Sequence, residues 1–310
     1  MSTGFDQLRP TAARPVMRAF TMRLCAISAI LVAGTSFACA AEDASRWDGD
    51  ARSAVRLIVG APPAGRNATT TLRAGVEVRL KPGWHTYWRY PGDAGVPPRF
   101  DFAGSQNVKS VDVLWPAPQP IREQGLIAIG YTSDVTWPLA VVPLDRAKPV
   151  TLRLKLDYAV CEKLCVPAQG KAELALAGGP SSRAAALAEA EARVPKQLAL
   201  GEGSPLAIKS VSIAREDGRK RPDGNDGAAR PRVIVDVATP PGSAVALFAE
   251  GPTPDWALPV PAPIDGAPAG SQRFAFDLDG APPGAKYQGV PIMLTAVAGN
   301  HAIEVVTRLD

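Results

Sequence analysis

The residues best suited to chemistry are Cys161 and Cys165, which three residues separate. Two thiols this close in sequence can exchange a disulfide, form a structural disulfide or bind a soft ion such as Cu(I). A disulfide needs Cα atoms about 4.4–6.8 Å apart, whereas four steps along an extended strand span about 13 Å. The loop must therefore turn back on itself, or take a helical turn, if the two sulfurs are to meet.

The residues on either side of the two cysteines predict a β-hairpin. Residues 151–160 alternate apolar and polar side chains, which is typical of a half-buried strand. Continued along that strand, Cys161 falls on the polar parity and faces away from the apolar stripe. A second alternating run covers residues 171–177. A strand, a short loop and a second strand predict a hairpin with one cysteine at each side of its tip.

A disulfide between these cysteines would close a very small loop. The chain-entropy stabilisation for such a loop is about 2 kcal/mol, against about 3 kcal/mol for a fifteen-residue loop. A disulfide that serves only as a staple would stabilise the fold more by joining distant strands, whereas an exposed tip favours a bond that opens and closes. Structural disulfides are nevertheless common in exported proteins, so the spacing leaves both interpretations open.

Several neighbours could tune this pair. Lys163, inside the loop, would favour the thiolate and Glu162 would oppose it, although both could equally be solvated turn residues. His85 is a candidate for assisting proton transfer, although a histidine on a strand edge is more often a packed residue. Tyr87 and Trp88 belong to an aromatic cluster that predicts either core packing or a platform beside the cysteines.

Other chemistry finds little support in the sequence. With His85 and His301 as its only histidines, the chain is not expected to build a His-rich zinc site, and two cysteines alone would leave such a site incomplete. Glycine-rich phosphate loops, a nucleophile elbow and a dinucleotide fingerprint are all missing from the sequence. We therefore predict no metal and no cofactor, with the cysteines as the strongest chemical candidates.

The N-terminus has the pattern of a secretory signal. Arginines precede an apolar run at residues 24–32, and Ala38 and Ala40 follow at an A-x-A-like site. This predicts a signal peptide over residues 1–40, with Met17 as an alternative start. Cleavage would remove four arginines, one aspartate and two of the four cysteines, which lowers the net charge from +4 to +1. A nearly neutral exported chain is not expected to bind nucleic acid.

Short alternating apolar runs recur between turn residues along the rest of the chain. This pattern predicts an all-β protein built from two sandwiches. The predicted domains are residues 45–179 and 198–310, joined by a helical linker at 180–197 that is rich in Ala, Leu, Glu and Arg. The long connection over residues 117–134 is a candidate for the wall or lid of a site, because long loops carry function more often than strands do.

Three motifs in order resemble a known family. They are GWHTYWRYPGDAGVPP (83–98), the WPAP…GYTSDVTWPL run (115–139) and DYAVCEKLCVP (157–167). Together they resemble the periplasmic N-terminal domain of the thiol:disulfide interchange protein DsbD, and in particular its ScsB branch, strongly over about residues 50–178. The resemblance implies immunoglobulin-like sandwiches and a periplasmic dithiol. It also implies a membrane-embedded electron donor of the DsbD/CcdA type, and thioredoxin-like or other disulfide-bearing proteins as acceptors.

The resemblance also implies roles for individual residues. Cys165 would be the sulfur that attacks and links to partners, and Cys161 the resolving sulfur. The family shields its pair with a cap loop that carries aromatic residues. The matching segment here is 126–134, in which aliphatic Ala128 and Ile129 take the place of the aromatics and Tyr131 follows.

The sequence thus predicts a protein-disulfide reductase that passes reducing equivalents through a C-x-x-x-C dithiol to oxidised periplasmic proteins. One alternative is a non-catalytic periplasmic binding or chaperone module with a structural disulfide, linked to copper stress. Another is a Cu(I)-binding protein that uses the two thiolates.

Overall fold

The computed structural model of the chain describes residues 42–61, 71–123, 125–176, 179–215 and 231–310. These residues belong to one compact unit and are mostly β-strand. The predicted signal peptide lies outside the described residues. Within the described ranges, no helix is long and apolar enough to cross a membrane.

The first half of the described chain contains eleven strands. In chain order they are β1 (Asp48–Gly49), β2 (Ser53–Val59), β3 (Leu72–Leu80), β4 (His85–Gly92), β5 (Arg99–Asp101), β6 (Val108–Val113), β7 (Gln119–Glu123), β8 (Leu126–Tyr131), β9 (Val135–Pro143), β10 (Val150–Cys161) and β11 (Cys165–Leu176). They form two antiparallel sheets, with strand orders β1-β2-β3-β9-β6 and β11-β10-β4-β8-β7, and β5 pairs with β10. Together the sheets make the first immunoglobulin-like sandwich.

The core of this sandwich follows the alternation seen in the sequence. Leu152, Leu156 and Val160 of β10 point into it and are almost completely buried, as are Trp88 and Trp137 from β4 and β9. Apolar residues at every second position cover one face of a pleated strand, so two such faces can close on each other.

Strand β11 begins earlier than predicted. Pro167 argued for a loop before residue 171, but β11 starts at Cys165 and pairs Pro167 with Ala159. The reason is that β11 is the edge strand of its sheet. An edge position tolerates a proline, because the missing N–H faces away from the ladder.

The segment at residues 81–100 contains a strand that its turn-rich composition obscured. β4 lies in the middle of the second sheet, between β10 and β8. Its register pairs Cys161 with His85, and Tyr131 with Thr86. The aromatic cluster therefore occupies the sheet that carries the cysteines.

The second half forms another all-β sandwich. Its strands are β12 (Lys196–Gln197), β13 (Ala207–Arg215), β14 (Pro231–Ala238), β15 (Ala246–Glu250), β16 (Ala262–Ile264), β17 (Ser271–Asp277), β18 (Pro291–Ala298) and β19 (His301–Arg308). The two sheets have the orders β12-β19-β18-β15 and β13-β14-β17-β16. They enclose a separate core that includes Val235, Phe274 and Leu294. The fold class predicted from sequence, two immunoglobulin-like sandwiches joined by a short helix, is confirmed, whereas the predicted domain boundaries stay a prediction.

The connecting helix, α1 (Ala184–Ala192), is shorter than the predicted linker. Its buried Leu187 lies against Gly60 and Gly75, and a Cβ built at Gly60 would come within 2.5 Å of the Leu187 side chain. The helix is therefore packed onto the first sandwich by an apolar contact that depends on glycine.

Strand β4 also carries the contacts between the sandwiches. Arg89 forms ion pairs with Glu250 of β15 and Glu304 of β19. Trp88 packs against Phe248, with ring centroids 5.9 Å apart, and the Tyr90 hydroxyl donates a hydrogen bond to the Leu258 carbonyl. The strand that supplies His85 and Tyr87 to the cysteine site thus also anchors the second sandwich.

Candidate functional site

The two cysteines face each other at the end of the β10–β11 hairpin. Cys161 and Cys165 are register partners on adjacent antiparallel strands, and both are free thiols. Cα atoms of such partners lie about 4.5–5.5 Å apart, which is within the range that a disulfide requires. The predicted hairpin, with one cysteine at each side of its tip, is confirmed, and the backbone permits the two sulfurs to bond.

The two thiols differ in accessibility. Cys161 is only 4% exposed, whereas Cys165 is exposed at the hairpin tip. Cys161 lies on the parity opposite to the main core, as predicted, and belongs to a small separate apolar cluster. The members of this cluster are Tyr87, Ile121, Ala128, Ala159 and Cys161. A partner molecule can therefore reach Cys165 directly, while Cys161 is covered.

Tyr87 joins the exposed cysteine to the buried cluster. Its hydroxyl oxygen lies 3.0 Å from the Cys165 Sγ and 3.4 Å from Oε1 of Glu123. Burial raises the pKa of Tyr87 well above its usual range, and the hydrogen bond with Cys165 raises it further. The phenol therefore keeps its proton at neutral pH and can donate it in a hydrogen bond to a sulfur anion.

His85 forms the other polar contact of the site. Its Nε2 lies 2.6 Å from Oε1 of Glu123, and both side chains are largely buried. The His85 ring meets the Tyr87 ring edge to face, with centroids 5.5 Å apart. One potential ligand atom from each of His85, Glu123 and Cys161 lies within 4.8 Å of the other two. Acid–base groups thus lie directly beside the buried thiol.

The environment of Cys161 disfavours its ionised form. Burial raises the pKa of the Cys161 thiol to about 11, and Cys165 contributes to the increase, while the hydrogen bond from Tyr87 opposes it. At neutral pH Cys161 is therefore a protonated thiol. Because the thiolate is the nucleophile in disulfide exchange, the buried cysteine is poorly suited to make the first attack.

Of the other residues predicted to shape the site, two point away from the sulfurs and two lie in the turn between the cysteines. Trp88 and Tyr131 point into the main core, because they have the opposite parity on β4 and β8 from the residues of the small cluster. Glu162 and Lys163 are exposed in the turn. The platform interpretation of the aromatic cluster therefore holds for Tyr87, and the core-packing interpretation for Trp88.

The connection at residues 117–134 does contribute a wall. It folds into the β7–β8 hairpin, in which Glu123 and Leu126 are register partners and Gly125 has a φ of +91°. This hairpin brings Ile121, Glu123 and Ala128 to the cysteines. Glu123 was not singled out from the sequence. The signal that could have found it is Gly125, two positions later, because a glycine of this kind marks a hairpin turn and puts Glu123 at the end of a strand.

Comparison with known proteins identifies the first sandwich. Residues 61–177 match the family model described as "Thiol:disulfide interchange protein DsbD, N-terminal". Residues 61–177 belong to the DsbD N-terminal family. This match contains the cysteine hairpin and every residue of the small cluster, so the DsbD N-terminal family is the one that the sequence motifs indicated.

A solved structure extends the similarity beyond this DsbD N-terminal region. The chain is similar to the N-terminal periplasmic domain of ScsB from Proteus mirabilis, with a TM-score of 0.62 and 19% sequence identity. The match covers 86% of this chain and 98% of the ScsB domain. At this identity the likeness shows the fold, including both sandwiches. No match is found among curated proteins.

Proposed function

We propose that this protein is a periplasmic thiol–disulfide exchange protein that reduces disulfides in other proteins through Cys161 and Cys165. The observation that carries this proposal is the asymmetry of the pair. Cys165 is exposed and its sulfur is in hydrogen-bond contact with the Tyr87 hydroxyl, whereas its ladder partner Cys161 is buried and protonated. The family match of the surrounding residues supports the same chemistry.

In the proposed reaction Cys165 acts first. Its thiolate, stabilised by the Tyr87 hydroxyl, attacks one sulfur of the partner disulfide. The partner S–S bond breaks, a mixed disulfide forms, and the departing partner sulfur takes up a proton. Exchange by in-line attack of a thiolate on a disulfide is the general route for such reactions.

Cys161 then resolves the mixed disulfide. It gives up its proton to the His85–Glu123 pair, which has ligand atoms within 4.8 Å of the Cys161 sulfur, and attacks the Cys165 Sγ. The partner leaves as a dithiol and the protein keeps a Cys161–Cys165 disulfide, so that two electrons and two protons have passed to the partner. A membrane-embedded donor of the DsbD/CcdA type would reduce the disulfide again, and the acceptors would be thioredoxin-like or other disulfide-bearing proteins.

Single cysteine variants test the two roles. We expect Cys165→Ser to abolish reduction of a disulfide-bearing thioredoxin-like protein, and Cys161→Ser to accumulate a mixed disulfide that a non-reducing gel detects. If both single variants reduce the partner at the wild-type rate, the proposal is wrong. Trapping with Cys161→Ser in the native periplasm would also identify the partners.

The reduction potential separates this function from a binding or chaperone module with an inert disulfide. Structural disulfides have potentials below about −300 mV, and exchanging ones lie higher. We expect the Cys161–Cys165 couple, equilibrated with glutathione or dithiothreitol buffers, to lie above that value. A potential below about −300 mV would favour the inert disulfide.

A further inference from the structure

A set of metal-binding donors surrounds Cys161. His85, Glu123 and Cys161 each offer a ligand atom within 4.8 Å of the other two. His85 and Cys161 are buried, and Glu123 is mostly buried. From the sequence, two cysteines left a zinc site incomplete. The tertiary structure adds an imidazole and a carboxylate from two other strands, β4 and β7.

Cys165 is the candidate fourth donor, and its Sγ lies outside the group of three ligand atoms that are within 4.8 Å of one another. It is the ladder partner of Cys161. The Tyr87 hydroxyl contacts both the Cys165 Sγ, at 3.0 Å, and Oε1 of Glu123, at 3.4 Å. The second sulfur and the carboxylate therefore flank the same hydroxyl group, at the edge of the three-residue cluster.

The chemistry of this donor set selects the ion. Two thiolates, one imidazole and one carboxylate are the ligand types of a tetrahedral Zn²⁺ site, with bonds of about 2.0–2.3 Å. Cu(I) prefers soft sulfur ligands and has little use for the carboxylate, so the presence of Glu123 favours Zn²⁺. The ligand atoms of His85, Glu123 and Cys161 lie within 4.8 Å of one another and need only small side-chain movements to converge on one ion. The exposed Cys165 side chain has to turn towards them to complete the site.

We propose that the reduced protein binds one Zn²⁺ through Cys161, Cys165, His85 and Glu123. The metal replaces the two thiol protons, so binding releases protons. Because the same sulfurs cannot coordinate Zn²⁺ and attack a disulfide at once, bound Zn²⁺ blocks exchange. Oxidation to the Cys161–Cys165 disulfide in turn removes two ligands and releases the ion.

Zn²⁺ titration of the reduced, metal-free protein under anaerobic conditions, against a chromophoric chelator, tests the site. We expect uptake of one equivalent by reduced protein and none by oxidised protein. His85→Gln and Glu123→Gln should each weaken binding by at least about tenfold. The matched control is His301→Gln, because His301 is an exposed residue at the start of β19 in the second sandwich and should leave the affinity unchanged.

Co²⁺ gives a second readout that does not depend on activity. Its absorption spectrum in the reduced protein should show tetrahedral coordination with thiolate ligands, and Glu123→Gln, which keeps the size of the side chain, should alter it. The proposal is overturned if no Zn²⁺ is taken up, or if His85→Gln and Glu123→Gln, shown to be folded by circular dichroism, bind it as tightly as the wild type. Exchange activity measured with a chelator present tests the proposed thiol–disulfide exchange independently of zinc. Absence of zinc binding would therefore contradict the zinc site and leave the proposed function unaffected.

Discussion

The Tyr87 hydroxyl oxygen lies 3.0 Å from the Cys165 Sγ, so a buried phenol is in hydrogen-bond contact with the sulfur of an exposed cysteine. Tyr87 is itself completely buried and belongs to the cluster around Cys161. One side chain therefore contacts the environments of both thiols. It links the accessible thiol of Cys165 to the buried thiol of Cys161.

Removing that hydroxyl should slow the first attack. In Tyr87→Phe the Cys165 sulfur loses a hydrogen bond that stabilises its anionic, attacking form by about 1–1.5 kcal/mol. A more basic thiolate is also more nucleophilic, with a Brønsted coefficient of about 0.4–0.5. We therefore expect a net decrease of about threefold in the rate of reaction with an aromatic disulfide reagent at neutral pH.

The matched control for this variant is Tyr90→Phe. Tyr90 lies on the same strand, but its hydroxyl bonds to the Leu258 carbonyl and not to a cysteine. Its removal should leave the reaction rate unchanged. Equal rates in Tyr87→Phe and the wild type would show that the hydroxyl does not assist the sulfur.

The buried thiol should ionise only in strongly alkaline solution. Because the pKa of Cys161 is raised to about 11 by burial, one thiol of the reduced, chelator-treated protein should ionise near that pH in a titration of thiolate absorbance. The folded-state pKa lies above the ordinary value of about 8.5. The stability that comes from burying the neutral thiol is therefore present below about pH 8.5 and is lost as the pH rises from there through about 11.

Cys161→Ser should lack this ionisation and this loss of stability at high pH. Chemical denaturation at a series of pH values measures the second effect. Ionisation of both thiols near pH 8.5 would contradict the buried position of Cys161.

The exposed leucine between the cysteines should affect the rate of reaction with protein disulfides but not with small disulfide reagents. Leu164 is 75% exposed at the hairpin tip, and burying a leucine against a partner is worth about 1.5–3 kcal/mol. We expect Leu164→Ser to slow reduction of a protein disulfide by about tenfold or more while leaving the rate with a small disulfide reagent unchanged.

Leu144 provides the control for that measurement. It is 70% exposed, like Leu164, but lies before the start of β10, at the opposite end of that strand from Cys161. Leu144→Ser should leave both rates at wild-type values. A similar effect of the two substitutions would indicate a general effect of losing exposed apolar surface rather than a docking contact.

The ion-pair cluster between the sandwiches should be important for stability. Arg89 pairs with Glu250 and Glu304, both largely buried. Arg89→Met would leave two buried carboxylates without their cation and should lower the free energy of unfolding by about 3–5 kcal/mol. The exposed Arg153–Glu173 pair is the control, because Arg153→Met should cost at most about 1 kcal/mol.

The loss in Arg89→Met should depend on pH. Burial raises the pKa of Glu250 even though Arg89 opposes the shift, and removal of Arg89 raises it further. A carboxyl group with a raised folded-state pKa stabilises the fold below its unfolded pKa and loses that contribution as the pH rises. The loss in free energy of unfolding caused by Arg89→Met should therefore be smaller at pH 5 than at pH 7. A loss that does not change with pH would show that the buried carboxylates are not its cause.

The sequence alone determined the fold class and singled out the cysteine pair as the candidate site. The period of two in residues 151–160 showed which side chains of β10 form the core and that Cys161 faces away from it. Composition and spacing singled out the two cysteines, and three motifs indicated the family. These features are local, because each depends on residues within about one strand or one loop.

Only the tertiary structure decided what surrounds the cysteines. Proline and glycine near β4 concealed a central strand, and β11 could include Pro167 only because the fold makes it an edge. Glu123 meets His85 and Tyr87 across 38 and 36 positions of the chain. The pairing of β4 with both β10 and β8 sets these distances, and no local sequence pattern encodes it, since sheet order arises from packing among distant strands.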